Sequence, residues 1–265
     1  MSRPDNLAEV RRLEELAFQG WPALETRDLA GWRQRLSQGY TKRANSINAL
    51  GPDARCDPEI VSALEAPYLG LGQTPTWRLT PLAPAAIAPL LGARGYRAIE
   101  RSLLQVCPLH AGFTADAEIR IFTKPTPAWI AAFCRHSPVP AQHRETMARM
   151  LDAIAAPAGF AFAEAAGHPM AMAIGAVEGE HMGLFDVLVM PHARRRGLAR
   201  RVTESLYAWA WGHGARFAYL QVVATNQAAL PLYAAQGFRT AYAYEYFVPP
   251  PAQVRQLDPP APRLT

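Results

Sequence analysis

Val189-Met190-Pro191-His192-Ala193-Arg194-Arg195-Arg196-Gly197-Leu198-Ala199 is the stretch on which the reading of this chain turns. The mainly apolar run before it, residues 182–189, reads as a buried strand that Pro191 ends. After it, Leu198, Val202, Leu206, Trp209 and Ala210 recur at helical spacing, with Arg200, Arg201 and Glu204 off that face. Gly212 and Gly214 close this amphipathic helix. A strand, a short turn and a helix therefore follow one another, and the helix opens at a glycine inside three arginines. The first amide hydrogens of a helix have no intrahelical acceptor, and the positive end of the helix dipole lies behind them. Gly197 has no Cβ, so an anion can approach its backbone, and small Ala199 keeps the next position clear. The arginines add forked donors suited to phosphate oxygens. The local expectation is a seat for a diphosphate; a basic solvated loop is the plainer alternative.

Downstream, residues 217–223 read as a second buried strand, residues 228–236 as a short helix ended by Gly237, and residues 241–248 as an aromatic-rich last strand. Upstream, residues 118–122 restart a strand pattern. Helices follow at 127–135 and 141–154, then a hairpin of 159–164 with 169–178 turning at Gly167-His168.

Arg194-x-x-Gly197-x-Ala199, between an apolar strand and an amphipathic helix, resembles motif A of the GNAT superfamily of acyl-CoA-dependent N-acyltransferases, Gln/Arg-x-x-Gly-x-Gly/Ala. Residues 220–238, a strand, Asn226, a helix bearing Leu232-Tyr233 and then Gly237-Phe238, resemble the second element of that family. The resemblance covers about residues 117–248. It implies an α/β (α+β) fold with a mixed, mostly antiparallel sheet flanked by helices, and acetyl-CoA as acyl-donor cosubstrate. Carried over by position, Arg194, Arg195, Arg196, Gly197, Leu198 and Ala199 would hold the pyrophosphate. Leu188, Val189 and Met190 would bond the pantetheine arm through their main chain, in a gap between the two strands. Asn226 would touch the arm, and Tyr233 would protonate the departing thiolate. A packed amphipathic aromatic is the other reading of Tyr233.

The base is less defined. Some family members carry Glu or His on the strand before the Asn, where this chain has Gln221, which cannot take a proton. Asp186 stands between Phe185 and Val187 on an apolar strand, so its carboxylate needs a partner or a task. The expectation is a base or an anchor for the substrate amine, against a structural carboxylate. His181 or a water chain remains open as the base. Tyr219, Tyr242, Tyr244 and Tyr246 line the acceptor cleft or simply pack. With no cysteine in the motifs, the implied reaction is direct attack of a primary amine on the thioester in a ternary complex, with main-chain donors for the oxyanion. The acceptor is a small molecule or a peptide. A non-catalytic CoA-binding sensor or interaction module is the alternative, and Gln221 is its support.

A nine-residue repeat organises the chain. Pro89-Leu90-Leu91-Gly92-Ala93-Arg94-Gly95-Tyr96-Arg97 matches Pro231-Leu232-Tyr233-Ala234-Ala235-Gln236-Gly237-Phe238-Arg239, and a strand precedes and follows each. Two GNAT-like halves are expected: residues 1–108, a degenerate copy without the pyrophosphate loop, and residues 109–248, with a proline-rich tail at 249–265. In the first half, helices are expected at 7–18, at 57–68 behind the Asp57-Pro58 cap, and at 84–93. Pro67 is expected to end or kink the second of them. Strands are expected at 32–36, 44–50, 76–80 and 97–106, and Gly20, Trp21-Pro22 and Asp28 mark a loop. Leu91 stands where Tyr233 stands in the other half. The polar stretch 39–48 forms part of the acceptor pocket or of the interface between halves, or is a solvated edge.

Composition bounds the rest. Half of the 265 residues are apolar and 18% are charged, enough for a sizeable core and too little charge for wholesale disorder. Lys and Arg number 27 against 22 Asp and Glu, a mild +5 confined in part to one turn, which argues against a nucleic-acid partner. No run of about 18 apolar residues predicts a membrane span, and the start of the chain shows no apolar leader. Cys56, Cys107 and Cys134 lack paired spacing, so neither a disulfide framework nor a metal site is expected. These readings point to a cytoplasmic monomer or homodimer.

Overall fold

The computed structural model describes residues 6–137 and 140–250; residues 1–5 and most of the proline-rich tail lie outside the described residues. Helix α1 (Leu7–Gly20) starts where Asn6 Oδ1 accepts the Glu9 N–H at 3.1 Å. It is followed by β1 (Glu25–Leu29), β2 (Trp32–Leu36), β3 (Ser46–Ala49), α2 (Pro58–Gly70), β4 (Trp77–Leu79), α3 (Ile87–Ala93) and β5 (Arg97–Pro108). The second half runs β6 (Ile119–Phe122), α4 (Pro127–His136), α5 (Arg144–Asp152), β7 (Ala158–Ala165), β8 (His168–Glu178) and β9 (His181–Val189). It ends with α6 (Leu198–Gly212), β10 (Phe217–Val223), α7 (Leu230–Ala235) and β11 (Arg239–Val248).

All the strands join one sheet in the order β1-β2-β3-β4-β11-β5-β10-β9-β8-β7-β6. Among the described pairs only β3–β4 and β9–β10 are parallel, so the sheet is mixed and mostly antiparallel, as the sequence implied. The order has an internal symmetry. In each half a helix, α2 or α6, crosses between the parallel strands, and a short helix, α3 or α7, leads into a long strand at the centre. The two repeats close their helices alike. Tyr96 N–H donates to Leu91 C=O at 3.0 Å and Phe238 N–H to Tyr233 C=O at 3.0 Å, around Gly95 (φ 82°) and Gly237 (φ 87°). The central strands are exchanged, however: β5 lies against β10 and β11 against β4. Residue 108 is thus a boundary in chain order, while the hydrogen-bonded sheet runs across it.

Strand alternation places α1 and α6 on opposite faces of β9. A Cβ on Gly183 would meet the Tyr219 hydroxyl and the Phe185 ring, and Phe185 stacks on Trp21 just after α1 at 5.5 Å. The neighbouring Met182 and the α6 residue Leu206 both border Gly175 on the other face. One continuous apolar core fills both faces, including fully buried Trp32, Trp77, Trp129, Leu64 and Val202.

Several elements differ from the sequence reading, α3 among them, which begins at Ile87 and not at residue 84. The stretch read as a loop after Trp21 contains β1, all five residues of which are exposed; a charged edge strand carries no apolar alternation to reveal it. Helix α2 continues through Pro67 to Gly70, because a proline in the last turn removes few of the remaining backbone bonds. Helix α5 begins at Arg144 after a 3-10 turn at Ala141–His143, and α7 at Leu230 after a tight turn around Asn226.

Candidate active site

The arginine-glycine turn has the open form its sequence predicts. A 3-10 turn (Pro191–Ala193) follows β9, Arg195 adopts φ 62°, and Gly197 caps α6 with φ 73°. Arg201 N–H is the first to bond back, to Gly197 C=O at 3.1 Å. The amide hydrogens of Arg195, Arg196, Gly197, Leu198, Ala199 and Arg200 find no protein acceptor among the described residues. A Cβ at Gly197 would meet nothing within 4 Å, so the space before these donors is open. Arg194, Arg195 and Arg196 are exposed and make no ion pair among the described residues, whereas Arg200 pairs with Glu204 and Arg201 with Asp116 and Glu118. The residues fit an anionic diphosphate. The equivalent start of α2 does not: Pro58 has no N–H, and Asp57 Oδ1 accepts the Ile60 N–H at 3.2 Å, setting a carboxylate where an anion would sit.

Upstream of the turn the sheet opens. β10 pairs with β9 from Phe217↔His181 to Leu220↔Leu184 and no further, although it stays paired with β5 as far as Val223↔Ser102. The parting coincides with a bulge in β9. Its register against β8 shifts between Met172 and Ile174, so Asp186 and Val187 stand opposite Ala173, and Asp186 takes φ 48°. Beyond the bulge, Met190 N–H donates to Met170 C=O at 3.0 Å and Met190 C=O accepts the Ala193 N–H at 2.9 Å. Alternation then turns the Val189 N–H and C=O towards the gap, and the main chain of Leu188 and Met190 towards β8. The expectation that Leu188, Val189 and Met190 all offer their main chain to the gap is corrected to Val189, since both groups of Met190 are already engaged. Arg194 Nε reaches the gap-facing Val189 C=O at 3.5 Å.

Asp186 is set at this opening, and its Oδ1 accepts Arg43 Nη2 at 3.2 Å. Arg43 comes from a 3-10 turn (Lys42–Ala44) of the N-terminal half. Burial raises the Asp186 carboxyl above the usual carboxylate range, and Arg43 works against that rise. Tyr233, on α7, is 8% exposed and joins the same group. Burial pushes its phenol up to about 12, the Arg43 charge lowers it and the Asp186 charge raises it. Its hydroxyl has no hydrogen-bond partner among the described residues. Tyr40 feels the same two charges, its phenol raised mainly by burial and then by Asp186. Asp186 and Tyr233 are therefore brought into one electrostatic neighbourhood. Arg43 is the member that sequence reasoning did not single out, although it lies inside the polar stretch 39–48.

The other candidates separate from this group. His181 is at the far end of β9, five residues or roughly 16 Å along the strand from Asp186. There it stacks on Phe217 and faces Arg12 Nη2 at 3.1 Å. Gln221 accepts the Tyr244 hydroxyl at 2.7 Å. Tyr219 donates to Leu16 C=O at 2.7 Å and Tyr242 to Glu14, both buried, and Tyr246 is 1% exposed beside Tyr244. Of the four tyrosines proposed for the cleft, these contacts make three packing residues. Asn226 is exposed, and its Oδ1 caps the Ala229 N–H at 3.1 Å. Among the described residues no helix is long and apolar enough to cross a membrane.

A parallel strand pair that parts at a bulge, above a helix opening with free amides at a glycine, defines a GNAT-type N-acetyltransferase. The chain belongs to the family whose model is described as "Probable histone acetyltransferase Rv0428c C-terminal", which matches residues 7–247. It is 23% identical over 245 residues to the uncharacterized N-acetyltransferase YobR of Bacillus subtilis (strain 168), covering 90% of this chain and 98% of that protein. Among solved structures it is similar to a GCN5-related N-acetyltransferase from Kribbella flavida, with a TM-score of 0.64, 16% identity, and 93% and 97% of the two chains covered. It is also similar to a tandem GNAT protein from the clavulanic acid biosynthesis pathway, with a TM-score of 0.56, 12% identity, and 94% and 89% covered.

Proposed function

We propose that this N-acetyltransferase moves an acetyl group from acetyl-CoA to a primary amine by direct attack in a ternary complex. The observation that carries the reading is the run of six unengaged amides, from Arg195 to Arg200, at an open helix start beside unpaired arginines. Those amides and the guanidinium groups of Arg194, Arg195 and Arg196 hold the pyrophosphate. The Val189 N–H, and its C=O in exchange for the long contact from Arg194 Nε, offer the pantetheine amides the pairing that β10 has given up, and the exposed Asn226 borders the arm. Acetyl-CoA supplies the acyl group activated as a thioester.

The side chains at the gap handle the protons. An ammonium loses one to Asp186, whose raised carboxyl holds a proton better than a solvated one. The freed nitrogen attacks the thioester carbonyl and forms the amide bond as the carbon–sulfur bond breaks, and its second proton passes to the departing sulfur, which leaves as the thiol. Tyr233 hydrogen-bonds the sulfur as negative charge grows on it. Its phenol, pushed to about 12, stays protonated at neutral pH and stabilises the leaving group largely through that bond. The N-terminal half takes no diphosphate, because Asp57 and Pro58 occupy the helix start that would hold it.

The test measures thermal stability with acetyl-CoA, CoA and no ligand, together with thiol release over a panel of small amines and peptides. Ligand at a hundred times its Kd stabilises by about 2.7 kcal/mol. Stabilisation with thiol release supports the proposal. Stabilisation with no release from any amine favours a non-catalytic CoA sensor, and no stabilisation overturns both.

A further inference from the structure

Arg43 is held in place by its own half of the molecule. Asn45 organises the loop that carries it: its Oδ1 accepts Ser37 N–H at 2.7 Å and Gly39 N–H at 2.9 Å, and its Nδ2 donates to Tyr40 C=O at 2.6 Å and Thr41 C=O at 3.0 Å. Thr41 takes φ 56°, which turns the chain into the 3-10 segment. Buried Arg35 donates to the main-chain oxygens of Arg43 and of Trp21. The Arg43 guanidinium lies 5.4 Å from the centroid of the Trp21 ring, and the Trp21 ring stacks on Phe185, the residue before Asp186. Both partners of the ion pair are therefore indexed to one indole.

We infer that Arg43 is a positioning residue for Asp186, the N-terminal half's contribution to the reaction: it fixes Oδ1, leaves Oδ2 for the acceptor amine, and sets a positive charge beside the carboxylate. The inference rests on Asp186 acting as the base. Oδ2 has no protein donor among the described residues, so the pair leaves one oxygen available. Among the described residues the groups facing Asp186 are Arg43, Tyr40 and Tyr233, and of these Arg43 alone favours its charged form. Tyr244 and Tyr246 of β11 face Arg43, and Cys134 and His143 lie beside Tyr40. A carboxyl that burial already raises would, without this cation, hold its proton to higher pH.

The test is the pH profile of kcat/KM for an amine acceptor, in wild type, Arg43→Gln, Arg43→Lys and Asp186→Asn, with the acetyl-CoA thermal shift measured for each. Arg43→Gln is expected to move the acidic limb to higher pH by about one unit or more. Arg43→Lys should return much of that displacement, and the acetyl-CoA shift should be unchanged in both. An unmoved limb in Arg43→Gln, with Asp186→Asn inactive, overturns the role of Arg43 and leaves the base in place. Asp186→Asn with wild-type activity and profile removes the base, and this inference with it. Should Arg43→Gln give no cooperative melt, Arg43→Met decides by the same limb, since its stem still packs on Trp21.

Discussion

Arg78 Nη2 of β4 donates to Glu14 Oε1 of α1 at 2.9 Å, with side chains 3% and 2% exposed. Tyr242 of β11 donates its hydroxyl to the same Glu14 oxygen, and the Arg78 guanidinium lies 3.8 Å from the Tyr244 ring centroid. The network ties the first helix to two adjacent strands that come from different halves of the chain. The Glu14 charge holds Arg78 well above its ordinary range despite burial. Glu14→Gln leaves that cation buried without its counter-charge, which costs about 3–5 kcal/mol. The expected result is a fall in the denaturation midpoint with little change in slope. A loss below about 1 kcal/mol would show that water reaches the pair.

Gly197→Glu addresses the proposed diphosphate seat. The open space before Gly197 would receive a carboxylate, and φ 73° is unfavourable for any residue with a Cβ. The variant should lose the stabilisation by acetyl-CoA, about 2.7 kcal/mol in wild type at a hundredfold excess over Kd. Its stability without ligand should fall by about 1–2 kcal/mol, the cost of a Cβ at positive φ, and no further, because among the described residues a Cβ there meets nothing within 4 Å. A variant still stabilised like wild type would move the cofactor to another surface.

Tyr233→Phe separates binding from proton handling. The ring packs on Phe238 with centroids 5.8 Å apart, and phenylalanine keeps that contact. Among the described residues its hydroxyl bonds to no protein group, so stability and the acetyl-CoA shift should stay within about 0.5 kcal/mol of wild type. Turnover should fall on the order of 10²-fold, the lower end for one lost hydrogen-bond donor to developing negative charge. Equal kcat in the two proteins would make Tyr233 a packing residue, the alternative its buried position always allowed.

The open, glycine-capped start of α6 was legible because it is local: strand, proline, arginines and glycine specify their geometry within a dozen neighbours. Asp186 could be singled out because a carboxylate on an apolar strand requires an explanation, but its bulge leaves no mark in the sequence. Arg43 was not legible as its partner, since 143 positions separate them and a sheet spanning both halves brings them together. Nor did the repeat show that β5 and β11 exchange places. A long, half-buried strand has the same alternation whichever neighbour it pairs with. β1 was missed for the opposite reason, its exposed residues being selected by solvent and not by a core.

Gly183→Ala tests whether the seating of α1 on the sheet reaches the reaction. A Cβ there would lie 2.5 Å from the Tyr219 hydroxyl and 2.6 Å from the Phe185 ring, distances that force both to move. Tyr219 is anchored to Leu16 C=O of α1, and Phe185 is stacked on Trp21, so neither gives way without shifting α1 or the β9 bulge. Overpacking of this kind costs about 1–3 kcal/mol, read as a lower denaturation midpoint. Because Phe185 precedes Asp186, kcat should fall as well, while the acetyl-CoA shift, carried by a turn on the far side of the bulge, should persist. Tyr219→Phe added to Gly183→Ala removes the closest clash and should recover part of the stability. A double variant no more stable than Gly183→Ala would place the strain in the Phe185 ring alone.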